Sequence, residues 1–191
     1  MNLYIVSGCN GAGKTTSSCT ILPEILDCKE FINADGIAVG LSPFQPEKAA
    51  IEAGRIMLNR IKNLLDKNIN FAFETTLATK TYKNTVLKAK SKGYNVTLLF
   101  FWLQNVELAK NRVQKRVSES GHNIETDIIE RRYFAGIKNL FDIYLPISDQ
   151  VLIYDNSEGK YELIAKKIKE SEIIIVNKVK FNQLENYYER K

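Results

Sequence analysis

The chain holds 191 residues, 45% of them hydrophobic and 26% charged, with a formal charge of +5. That length suits one domain able to bury a core, and no apolar run approaches the roughly 18 residues of a bilayer span, which argues against a membrane protein. Three cysteines without a Cys-x-x-Cys pair, and a single histidine, argue against a disulfide framework and a zinc site. No basic region followed by an apolar stretch opens the sequence, so a cytoplasmic location is expected, and the positive balance admits an anionic partner without selecting one.

The first predicted element is a strand, Leu3-Tyr4-Ile5-Val6-Ser7, which runs into Gly8-Cys9-Asn10-Gly11-Ala12-Gly13-Lys14-Thr15-Thr16. Gly8, four residues, then Gly13-Lys14-Thr15 match the phosphate-loop pattern at every fixed position and in its strand, loop and helix context. The glycines let the backbone bend until several N–H groups face one concavity, and a helix opening near Gly13 adds the positive end of its dipole. Gly8, Asn10, Gly11, Ala12, Gly13, Lys14, Thr15 and Thr16 are therefore expected to cradle nucleotide phosphates. Lys14 would reach the β- and γ-phosphates and the Thr15 hydroxyl would sit on Mg²⁺. Cys9 reads as a tolerated loop residue rather than a nucleophile.

A helix over Thr15 to Leu26 follows, kinked or ended by Pro23. Glu30 to Asn33 is a short strand that delivers Asn33-Ala34-Asp35-Gly36 at its end, where an open α/β sheet keeps its ligand crevice. Asp35 is open to two readings, a carboxylate facing the phosphate loop or a turn residue before Gly36. Pro46 suits the first position of a helix whose Ala50, Ala53, Met57, Ile61 and Leu64 form a core-facing stripe. Arg55 interrupts it, either as a surface arginine packed along its stem or as a phosphate or substrate contact.

Ile69 to Phe73 is a third strand, ending in Glu74-Thr75-Thr76. There a carboxylate and hydroxyls could hold sugar hydroxyls or Mg²⁺, or could cap the next helix, although Thr79 or Thr81 serve equally as caps. That helix, Lys80 to Lys92, stops at Gly93. Asn95 to Leu103 is apolar nearly throughout, the mark of a central strand buried on both faces. Asn105 can cap the next helix, on which Arg112 and Arg116 share a face. With Arg131 and Arg132 beyond a polar loop from Ser118 to Thr126, these arginines read as a lid, or else as ordinary surface charge. A helix from Asp127 to Leu145 halts at Pro146. A fifth strand, Gln150 to Tyr154, ends in Asp155-Asn156-Ser157, where the Asn156 amide is placed to touch the nucleotide base. Beyond Gly159 come a hairpin (Tyr161 to Lys167, Glu172 to Val176) and a final amphipathic helix, with no chemistry assigned.

Strands followed by helices after such a start give an α/β, three-layer sandwich of P-loop kinase type. A central parallel sheet of about five strands is expected, with helices on both faces. Residues 1–158 would form the core, with the lid at about 112–132, and 159–191 a small appendage of the same domain.

Taken together, Gly8-Cys-Asn-Gly-Ala-Gly-Lys-Thr15, Asn33-Ala-Asp35, Leu41-Ser-Pro43, Ala53-Gly-Arg55, Phe73-Glu-Thr-Thr-Leu77, Arg112-Val-x-x-Arg116-Val, Gly121-His122, Arg131-Arg-Tyr133 and Asp155-Asn-Ser157 resemble the zeta toxin family of P-loop kinases, most closely its short single-domain members. The resemblance implies transfer of the γ-phosphate of ATP, or of GTP in its place, with Mg²⁺, to a hydroxyl of a UDP-activated amino sugar such as UDP-N-acetylglucosamine. It implies Asp35 as acceptor of the hydroxyl proton, Glu74 and Thr75 as seats for the acceptor, Arg116 and Arg131 as lid arginines, and an antitoxin as a protein partner. Ser120 stands where the short members carry the first glycine of Gly-Gly-His, and Glu125 where a proline is common. The alternatives are a nucleotide-switched protein acting through a partner, which the absence of an obvious apolar-run-plus-Asp Walker B pair disfavours, and a kinase of RNA or tRNA.

Overall fold

In the computed structural model, which describes residues 1–118, 124–169 and 171–189, the chain opens with β1 (Asn2–Gly8) and α1 (Lys14–Thr20). A π-helical turn at Ile21–Ile25 continues α1 and contains Pro23, whose ring an ordinary turn would not accommodate. Then come β2 (Phe31–Ile32), α2 (Ala34–Leu41), a 3-10 turn at Pro46–Ala49 and α3 (Ala50–Asp66). Next are β3 (Phe71–Thr75), α4 (Tyr82–Ser91), β4 (Asn95–Trp102), α5 (Val106–Ser118) and α6 (Thr126–Asn139). A second π-helical turn at Leu140–Tyr144 leads into the short α7 (Leu145–Ile147), followed by β5 (Gln150–Asp155), β6 (Glu162–Ile168), β7 (Ile174–Ile175) and α8 (Lys178–Glu189). Among the described residues no helix is long and apolar enough to cross a membrane.

The strands form one sheet in the order β2-β3-β1-β4-β5-β6-β7. The first five are parallel, as expected, but the sheet has seven strands, because β6 pairs antiparallel with β5 and β7 with β6. The expected hairpin is thus the edge of the sheet, a pairing that local sequence pattern does not encode. Because β3 and β4 lie on either side of β1, the chain departs to one flank and then the other. The resulting crevice lies beyond the carboxyl end of β1, at the phosphate loop.

The core follows the apolar pattern. β4 is buried from Val96 to Trp102, and Ala53, Met57, Ile61 and Leu64 of α3 are buried together. Helix α6 is pinned to the sheet by polar contacts inside this core. Trp102 Nε1 donates to Tyr133 Oη (3.1 Å), which donates to the Leu103 carbonyl (2.6 Å). Asn139 Nδ2 donates to the Leu77 carbonyl at 2.6 Å. Gly136 lets α6 approach still closer, since a Cβ there would lie 2.6 Å from the Thr76 carbonyl oxygen. These contacts fix the turn after β3 against α6.

The C-terminal segment packs on the same core, with Tyr187 of α8 making edge contacts with Trp102 and Tyr133. Lys180 anchors it by charge, with Nζ 2.6 Å from Asp155 Oδ2 and 2.7 Å from Glu162 Oε2. Burial alone would raise the Asp155 pKa, but the Lys180 ammonium and the Ser157 donors outweigh it and hold the carboxyl below its ordinary value. A carboxylate with a depressed folded-state pKa stabilises the fold above its unfolded-state value, and that stabilisation fades as pH falls through the folded-state value. Lys180→Met is therefore expected to cost about 3 kcal/mol at neutral pH, the low end for breaking a buried pair. It should also flatten the loss of stability below about pH 4. Urea unfolding of both proteins across that range checks the two expectations.

Candidate active site

The phosphate loop turns on Gly13, whose φ of +81° is the left-handed conformation that caps the start of α1. Two cavities meet at this loop. One of about 380 Å³ is lined by Gly11, Gly13, Lys14, Thr15, Thr16, Arg112 and Arg116. The other, about 200 Å³, lies toward Asn33, Thr75, Thr76, Thr79, Tyr82 and Arg132. Asn10, Lys14, Asp35 and Glu74 line both. A smaller recess of about 170 Å³, mostly apolar and walled by Ala38, Val39, Pro46 and Ala50, adjoins them and shares Asp35 and Arg132.

The polar groups at the junction are bonded to one another. Lys14 Nζ donates to the Cys9 carbonyl (2.9 Å) and stands 3.7 Å from Glu74 Oε1. The Thr15 hydroxyl donates to Glu74 Oε2 at 2.8 Å. The parallel register pairs Val6 with Glu74, and so sets this carboxylate beside the mouth of the loop. Glu74 follows the apolar run Phe71-Ala72-Phe73 near the carboxyl end of β3. A hydroxyl and a carboxylate oxygen converging in this way are the hard oxygen donors that Mg²⁺ takes, so the residues fit that ion. Among the described residues no group of three or more His, Cys, Asp or Glu forms a denser metal site.

Asp35 lies in the first turn of α2, a helix where the sequence suggests only a turn. Asn33 caps it, accepting from the Asp35 N–H (2.8 Å) and the Gly36 N–H (3.4 Å). The Thr75 hydroxyl accepts from the Leu77 N–H at 3.1 Å and Thr76 from the Ala78 N–H at 3.4 Å, so both brace the turn after β3 while still lining the cavity. Thr81 precedes α4 without a side-chain capping bond.

Several expected contacts fall elsewhere. Arg55 is exposed on α3 and is not among the residues lining these cavities. Arg131 is likewise exposed and lines none of them. Arg132, one residue on, lines two and lies 3.4 Å from Asn10 Oδ1. One residue turns a helix by about 100°, and the burial of Tyr133 and Ile129 decides which arginine faces inward. Arg112 does line the phosphate-loop cavity, while its guanidinium also donates to the carbonyls of Asn156 (2.8 Å), Ser157 (2.9 Å) and Gly11 (3.4 Å). The Asn156 amide is buried and donates to the Ala12 carbonyl at 2.9 Å, so it supports the loop instead of pointing toward a base. Burial pushes the Cys9 thiol up to about 11, despite Lys14 and Arg112 nearby, which keeps it protonated and inert at neutral pH. Gly121 and His122 of the expected lid lie outside the described residues.

A parallel sheet switching direction at a phosphate loop, with a lysine, a metal-suited hydroxyl and paired carboxylates at its mouth, defines a P-loop kinase. The family model described as Zeta toxin matches residues 42–169, well over half of the chain, and the chain belongs to the Zeta toxin family. The matched stretch begins after the phosphate loop and Asp35, which rest on the geometry above. An "Uncharacterized protein" of Haemophilus influenzae is 31% identical over 126 residues, 66% of this chain and 88% of that protein. Among solved structures, the fold is similar to the PezAT chromosomal toxin-antitoxin system of Streptococcus pneumoniae, with a TM-score of 0.67, 20% identity and coverage of 99% of this chain and 88% of that one. It is also similar to AvrRxo1-ORF1:AvrRxo1-ORF2 with sulphate ions, with a TM-score of 0.76 and 14% identity. That match covers 96% of this chain, but this chain spans only 63% of the AvrRxo1 chain. A further structure of that complex, with ATP, gives a TM-score of 0.75 at 15% identity.

Proposed function

We propose that the protein is a Mg²⁺- and ATP-dependent kinase that phosphorylates a hydroxyl of a small-molecule acceptor. The carrying observation is the pair of adjoining cavities that share Lys14, Asp35 and Glu74, one on the phosphate loop and one beside it. Phosphoryl transfer asks a protein for placement and charge neutralisation more than for covalent help. The loop and Lys14 hold the triphosphate, and Arg116 and Arg132 neutralise the transferring group from the two cavities. Asp35 orients the acceptor hydroxyl and takes its proton as the oxygen–phosphorus bond forms and the bond to the β-phosphate breaks, releasing ADP. Thr15 and Glu74 would hold Mg²⁺, which supplies charge neutralisation at the phosphates when bound.

The adjoining cavity, rimmed with hydroxyls and bearing Arg132, suits a hydroxylated and anionic acceptor. A UDP-activated amino sugar has that chemistry, and family membership supports it. The description of the pneumococcal neighbour as a toxin-antitoxin system supports an antitoxin as the protein partner. Labelled ATP offered to a pool of cell metabolites, and separately to UDP-N-acetylglucosamine, tests the reading with Lys14→Ala as the blank. Label on a small molecule supports it. Free phosphate released only in the presence of a protein partner, or label on RNA, overturns it.

A further inference from the structure

We propose that Asn33 is a positioning residue that couples the acceptor side of the site to its metal side. Its Oδ1 accepts from the Asp35 N–H at 2.8 Å and the Gly36 N–H at 3.4 Å, which sets the first turn of α2 and with it the direction of Asp35. Its Nδ2 donates to Glu74 Oε2 at 3.1 Å and lies 3.4 Å from the Thr15 hydroxyl oxygen. One amide therefore holds two carboxylates from different strand ends, one by capping the helix that carries it and one by direct donation.

The amide orientation follows from its neighbours. Turned over, the NH₂ would meet two backbone donors and the oxygen would meet a carboxylate, so only one setting satisfies every group. The same accounting selects the residue type. Serine caps a helix well but has no second group to reach Glu74, and aspartate caps but sets a second carboxylate against it. Only an amide puts an acceptor toward the helix and a donor toward the acid. Glu74 in turn takes the Thr15 hydroxyl on the same Oε2, so the Asn33 bond fixes which edge of the carboxylate faces the phosphate loop.

The inference rests on the kinase reading, and its test separates the two. Binding of a fluorescent ADP analogue to the whole protein is titrated with Mg²⁺, and γ-phosphate transfer is measured on the same samples. Asn33→Ser should keep the amide-exchange protection of α2 and the thermal midpoint. It should also raise the Mg²⁺ concentration at half-saturation about tenfold or more, the usual effect of removing a hydrogen bond that orients a metal ligand. Its kcat should fall with little change in acceptor KM. Asn33→Asp should keep the cap and the α2 protection. Asn33→Ala should lose both the midpoint and the α2 protection. An Asn33→Ser protein with the Mg²⁺ midpoint of the parent overturns the coupling. If the parent transfers no phosphate while Asn33→Ser still shifts the midpoint, the coupling stands and the kinase reading falls.

Discussion

Asp35→Asn is expected to lower the rate of γ-phosphate transfer about 10²- to 10⁴-fold while leaving ATP affinity close to that of the parent. The substitution keeps the size of the side chain and its place in the first turn of α2, and Asn33 still accepts from the backbone at that turn. What is lost is the carboxylate that lines both cavities, the group proposed to accept the proton. A carboxylate is a weak base for an alcohol. In a loose transition state, however, the proton moves late, so its main work is to aim the hydroxyl and receive the proton once the new bond is forming. Lys14, Thr15 and the loop backbone are untouched, and a nucleotide analogue should therefore bind as before. Transfer kinetics beside analogue titration check the split. A variant with near-parental turnover on its true acceptor would remove Asp35 from the chemistry.

Arg132→Ala is expected to lower kcat about 10²- to 10³-fold, the scale for losing one donor aimed at developing charge. Arg131→Ala should leave turnover essentially unchanged. The two residues are neighbours in sequence with the same charge, so the contrast isolates orientation. Arg132 lines the cavity beside the phosphate loop and the apolar recess and reaches Asn10 of the loop at 3.4 Å, whereas Arg131 is exposed. Arg132→Lys should recover only part of the loss, because an ammonium keeps the charge but not the planar fork that grips two phosphate oxygens. Steady-state rates of transfer to the acceptor, or to water where no acceptor is supplied, decide the matter. Equal losses for Arg131→Ala and Arg132→Ala would overturn the argument from orientation.

The phosphate loop, the five parallel strands and the buried face of α3 were legible in the residues because each is a local signal. Glycine spacing dictates a turn, an unbroken apolar run dictates a strand covered on both faces, and apolar residues every three or four positions dictate a helix with one side inward. Asp35 and Glu74 were legible as candidates for the same reason, since each follows a strand. The helix that carries Asp35 was not, because Ala34-Asp35-Gly36 is a weak helix former and its stability comes from the Asn33 cap and from packing on α3.

By itself, then, the sequence determined that a phosphate loop opens an α/β sheet, and that acids and arginines follow at the ends of later elements. Only the tertiary structure decided which of those groups face one another. It turned Arg132 inward and Arg131 outward, set the Asn156 amide against the Ala12 carbonyl, left Arg55 on the surface and drew β6 and β7 into the sheet. The reason is physical: a side chain's direction around a helix, and a strand's choice of neighbour, are fixed by packing between segments far apart in the chain. No short stretch of residues contains that information.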